Sequence, residues 1–81
     1  MSTTSLDAYR FFLAGVEAFQ NYHHSRARQH FLDALGIDPE FASAYLWLAR
    51  SSRQLGLDED GKESLEKALA LVDRVNPKEK L

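Results

Sequence analysis

Eighty-one residues, 44% hydrophobic and 27% charged, make one small globular domain well outside the disordered regime. Ten basic against twelve acidic residues leave a net charge of −2, with the basic side chains scattered and locally answered by acids, which argues against a phosphate-binding surface for nucleic acid. Cysteine is absent, so disulfides, thiolate metal sites and cysteine nucleophiles are excluded. The apolar stretches fall far short of the ~20 residues needed to cross a bilayer. Met1 to Ser5 carries neither a basic segment nor a small-residue cleavage site, so the expectation is a cytoplasmic protein that engages no membrane.

In chain order, a first helix opens at Thr4 or Ser5, with Asp7 placed to complete a capping box, and runs to about Gln20. Asn21, Tyr22, His23 and His24 interrupt it, and Ser25 is the expected cap of a second helix that ends at Leu35, with Gly36 taking the left-handed position beyond. Asp38-Pro39-Glu40 is a compact start signal: Asp caps, Pro fills the first turn where no N–H is needed, and Glu favours the positive end of the dipole. The third helix is predicted from Pro39 to about Gln54, stopping at Gly56. Asp58 caps a fourth, which closes near Val75 before Asn76-Pro77, with Arg74 at its negative end. No run alternates apolar and polar residues with period two, so no strand is predicted. The fold class is all-α, with short loops that force neighbouring helices antiparallel.

Sliding the chain by 34 residues aligns Phe11 with Tyr45, Ala14 with Leu48, Gly15 with Ala49, Ala18 with Ser52, Phe31 with Leu65 and Ala34 with Ala68. At this period, self-similarity indicates stacked helix-turn-helix units: small residues sit where the helices of a hairpin approach closely, and large ones fill the gaps between hairpins.

These residues resemble the tetratricopeptide repeat family, whose pattern is aromatic, Leu-Gly, aromatic, Ala, aromatic, Ala and Pro. Repeat one, 8–41, supplies Phe11, Ala14-Gly15, Ala18, Ala27, Phe31, Ala34 and Pro39. Repeat two, 42–75, supplies Tyr45, Leu48-Ala49, Leu65 and Ala68, with Gly61 where Ala is usual and Asp73 where Pro is usual. Asn76-Pro77 comes three residues late, as if the last helix were about one turn longer and served as a cap. The resemblance implies one domain over 1–81, two antiparallel hairpins stacked as a short right-handed solenoid, with a short N-terminal cap at 1–7 and a tail at 76–81.

The residues offer little chemistry. His23, His24 and His30 lack the i,i+4 spacing of helical zinc ligands and read as solvent-facing. Asp58, Glu59, Asp60 and Glu63 are favoured by the helix dipole, and Lys62, Glu63, Glu66 and Lys67 form i,i+4 pairs along a solvated face. Asp58-Glu59-Asp60-Gly61 lacks the spacing of a cation loop. No nucleophile elbow, phosphate loop or dinucleotide fingerprint occurs, so neither an enzyme, a cofactor nor a small-molecule substrate is expected.

In the family, partners bind a concave groove lined by the first helix of each hairpin. The resemblance places Tyr9, Phe12, Leu13, Val16, Phe19 and Gln20 there, followed by Ser43, Leu46, Trp47, Arg50, Arg53 and Gln54. Aromatic residues beside arginine are the usual material of interface hot spots. The first helix is apolar almost all round, with Asp7, Arg10, Glu17 and Gln20 on its polar edge, more than one hairpin pair can cover. Arg50 and Arg53 could steer an acidic segment or pair with Glu17 across the groove. The positions that form a carboxylate clamp in some members read Phe12, Val16 and Trp47 here, which disfavours that mode. The expected function is a protein-protein interaction scaffold that holds a helix or peptide. The alternatives are a homodimer through the apolar first helix and a fragment of a longer array, the latter disfavoured by the start at Met1 and the late Asn76-Pro77.

Overall fold

Ser5 opens the first helix: its hydroxyl accepts the Ala8 N–H at 3.2 Å, satisfying one of the unpaired donors of the first turn. The structure, a computed structural model, describes residues 3–75, with side chains described through Val72. Its regular elements are α1 (Leu6–Gln20), α2 (His24–Ile37), α3 (Ala42–Gln54) and α4 (Asp58–Val75), and no strand occurs among the described residues. Asn76-Pro77 lies outside them, as do the side chains of Asp73 and Arg74.

Consecutive helices pack as hairpins, α1 on α2 and α3 on α4, and α2 also packs against α3. Both hairpin turns are the same motif. After α1, Tyr22 N–H donates to Phe19 O at 3.0 Å and His23 N–H to Ala18 O at 2.8 Å; after α3, Gly56 N–H donates to Arg53 O at 3.1 Å and Leu57 N–H to Ser52 O at 2.8 Å. These paired bonds close a Schellman turn, whose central residue must be left-handed. Tyr22 (φ 64°) and Gly56 (φ 80°), 34 residues apart, take that place. The helices that follow also begin in register, His24 and Asp58 being 34 residues apart. As the late Asn76-Pro77 led one to expect, α4 is longer than α2, 18 residues against 14.

Four boundaries differ from expectation. α2 starts at His24 rather than after Ser25, and His23, its N-cap, makes no side-chain capping bond. Gly36 lies inside α2, which runs to Ile37; the chain turns extended at Asp38 because the following Pro39 excludes helical geometry from the residue before it. α3 begins at Ala42, not Pro39. Asp38 closes a turn instead, its Oδ1 accepting Glu40 N–H at 3.0 Å, and its other oxygen accepts the hydroxyl of Thr3. Phe41, fully buried, follows that turn and draws the chain inward before α3 can start. Asp58 is the first residue of α4 rather than its cap, with Leu57 O accepting Gly61 N–H at 2.9 Å.

Alanines dominate the core: Ala8, Ala18, Ala27, Ala34 and Ala44 join Phe31, Leu35, Phe41 and Leu48 in one buried cluster. Small residues let the helices come close. A Cβ on Gly15 would come 2.5 Å from Cε1 of Phe31, so the ring of α2 lies directly on the backbone of α1. The equivalent pair in the second hairpin is Ala49 with Leu65, where the partner side chain is smaller and a methyl is present. A Cβ on Gly61 would meet Cγ of Arg53 at 2.7 Å and Ala49 O at 3.3 Å, which accounts for glycine where alanine was expected.

Of the residues assigned to hairpin packing, Gly15, Ala27, Phe31, Ala34, Leu48, Ala49 and Ala68 are buried and Tyr45 is half-buried. Phe11, Ala14 and Leu65 are exposed, as is Pro39 in its turn. Phe11 was expected inside the hairpin. It lies instead on a flank of α1 that no helix covers, whereas Tyr45, its counterpart on α3, faces a core to which α2 contributes. Arg28 ties the hairpins together: Nε donates to Ser52 Oγ on α3 at 3.3 Å and Nη2 to Asp60 on α4 at 3.1 Å.

Candidate functional site

Where α1 and α3 approach, their contact is aromatic. Phe12 of α1 is the hub. Its ring centroid lies 5.0 Å from Phe41, 5.8 Å from Phe31, 6.3 Å from Tyr9 and 6.4 Å from Trp47. Trp47 of α3 reaches further along α1, meeting Phe19 edge-on at 5.4 Å, and it lies 6.2 Å from Phe31 beneath. Phe19 is held on its other side by the His24 ring at 4.9 Å.

This geometry revises the expected open aromatic wall. Tyr9, Phe12, Val16, Phe19 and Trp47 are half-buried and packed on the core, with Phe12 a core residue in its contacts. The reason is Phe41, which the sequence placed inside a helix and which instead fills the space below Phe12. An aromatic residue directly after an Asp-Pro-Glu turn was the available signal. Leu13, Gln20, Leu46, Arg50, Arg53 and Gln54 stay exposed on the expected side, and Ser43 is half-buried.

The charged end of the groove is more sharply built. Phe19, Arg50, Arg53, Gln54 and Asp58 line a cavity of about 540 Å³. The Arg50 guanidinium stacks over Trp47, 4.9 Å from the ring centroid, a cation–π arrangement that fixes a planar donor array against an apolar plate. The Arg53 stem is laid on Gly61. Neither guanidinium forms an ion pair among the described residues; the pair with Glu17 is not made, and the carboxylate in the cavity is Asp58. Two unpaired guanidiniums beside an aromatic edge form a site for an anionic group attached to something apolar.

The histidines are less exposed than expected. His23 is exposed, but His24 and His30 are half-buried, each with a buried Nδ1 that has no hydrogen-bond partner. His24 belongs to the packing around Phe19. Among the described residues no group of three or more His, Cys, Asp or Glu could hold a metal ion. No helix there is long and apolar enough to cross a membrane.

Compared with known proteins, the chain matches no family profile, no curated protein and no solved structure at a significant level.

Proposed function

We propose that this chain is a protein-protein interaction module of the tetratricopeptide type, a right-handed stack of two hairpins that holds a peptide or helix of a partner along α1 and α3. The turns at Tyr22 and Gly56, the matched helix starts and the pairing of Gly15 with Phe31 against Ala49 with Leu65 support the repeat reading. One observation carries the binding reading: the cavity of Phe19, Arg50, Arg53, Gln54 and Asp58, with Arg50 stacked on Trp47 and no ion pair on either arginine among the described residues. The ligand that fits is a segment with a carboxylate next to an apolar side chain. Leu13 and Leu46 extend the apolar track beyond the cavity.

The test is selection from a phage-displayed random peptide library, followed by titration of the winners against the protein and its Arg50→Glu/Arg53→Glu variant. Acidic peptides with an aromatic or aliphatic neighbour should emerge, shift the backbone NMR signals of Phe19, Trp47, Arg50 and Arg53, and bind the variant at least ~10-fold more weakly, a loss of about 1.4 kcal/mol. Peptides that map to another face, or bind the variant equally, would sink the proposal.

A further inference from the structure

The 34-residue correspondence pairs each helix of one hairpin with a helix of the other, so exposure can be compared at matched positions. On α2, Phe31 and Leu35 are buried in the cluster that includes Ala44 and Leu48 of α3. Their counterparts on α4, Leu65 and Leu69, are 36% and 58% exposed, and Val72 continues the same stripe at 47%. On α3, Leu48 is buried and Tyr45 half-buried. Their counterparts on α1, Ala14 and Phe11, are exposed, Phe11 to 38%. The difference is the neighbour: α2 and α3 cover each other, and nothing covers the outer side of α4 or this flank of α1.

The two uncovered surfaces are the two halves of an interface that the chain already makes once. α4 presents what α2 presents to α3, and α1 presents what α3 presents to α2. They cannot meet within one molecule, because α1 and α4 are not in contact. We infer that the chain associates head to tail with a second copy of itself, α4 of one molecule docking on the Phe11 and Ala14 flank of α1 in the next, as α2 docks on α3. This does not depend on what the groove binds.

The contact is heterologous, so each added copy offers a fresh surface and growth is limited by affinity rather than by closure. It is also weaker than its internal template. Arg28 bridges α2 to Ser52 and Asp60, whereas the corresponding residues across the new contact are Lys62, Ala18 and Arg26, which offer no such bridge and set two cations together. One helix on another is a small interface of the transient class, so mass should rise with concentration rather than sit at a fixed oligomer.

Sedimentation velocity between about 1 µM and 1 mM, the span of transient affinities, reads this directly. The weight-average mass of the wild type should climb through that range. Ala14→Glu and Leu69→Glu should each be monomeric throughout while keeping wild-type helicity by circular dichroism. Mixed one to one, they should form a single heterodimer, because each retains the half that the other lacks. A wild type that stays monomeric overturns the inference. So does a mixture with no heterodimer, or a Leu69→Glu protein that still associates, the outcome expected of a two-fold seam on α1. Should Leu69→Glu lose helicity, Leu69→Gln takes its place in the same cycle with the same expected and overturning outcomes.

Discussion

Tyr22 and Gly56 occupy the same place in two copies of one turn, yet only one is suited to it. The left-handed conformation costs a residue with a Cβ about 1 kcal/mol and costs glycine almost nothing. Tyr22 is 83% exposed, so its side chain recovers little of that through burial. Tyr22→Gly should therefore stabilise the protein by about 1 kcal/mol in urea titration, raising Tm by about 4–8 °C for a domain of this size. Gly56→Ala should lose about as much. A second residue-scale contest is at Gly15. Alanine is the better helix former by about 1 kcal/mol, but its methyl would come 2.5 Å from the fully buried Phe31 ring, and overpacking costs about 1–3 kcal/mol. Gly15→Ala should destabilise, and adding Phe31→Leu should recover part of the loss, since Ala with Leu is the combination present at Ala49 and Leu65. Equal destabilisation of the single and double variants would refute this reading of the crossing.

At the scale of the element, α1 shows why its inner face could not be read from its own sequence. Buried positions follow from periodicity only when polar residues mark the other side. Here Tyr9, Phe11, Phe12, Leu13, Val16 and Phe19 leave a narrow polar edge, and several rotations of the helix bury similar apolar area. The choice was made by the small residues, Ala8, Gly15 and Ala18, which alone permit close approach of α2. That rotation puts Phe12 among Phe31, Phe41 and Trp47 and leaves Leu13 in solvent, although the two are adjacent. Phe12→Ala should cost about 3 kcal/mol, a large fraction of a small domain's stability, whereas Leu13→Ala should cost under about 0.5 kcal/mol. Thermal melts of the two variants followed by circular dichroism make the comparison, and similar losses would show that α1 is rotated from the position described.

For the whole molecule, two long-range polar contacts hold the hairpins in register. Thr3, nearly buried, donates its hydroxyl to Asp38 in the α2–α3 connection and accepts the Ser5 N–H at 3.2 Å, fastening the start of the chain to the junction between hairpins. Arg28 spans α2, α3 and α4. Arg28→Ala should lose about 1 kcal/mol, more than an exposed ion pair alone gives, because Ser52 is fully buried and its hydroxyl loses that donor. Urea titration checks this, and a change within error would show that the bridge contributes nothing to the join. The four helices, their three- or four-residue connections, the close crossings at Gly15 and Ala27 and the left-handed Gly56 were all determined by the sequence, since caps, turns and helical period are local properties that act before any tertiary contact. What only the tertiary structure decided is which apolar residues are used. Phe41 and Thr3 were drawn into packing and hydrogen bonding by partners distant in the chain, the aromatic wall became largely core, and Arg50 and Arg53 were left beside Trp47 and Phe19. Burial is settled by neighbours, and a helix with apolar residues on nearly every side does not carry that information within itself.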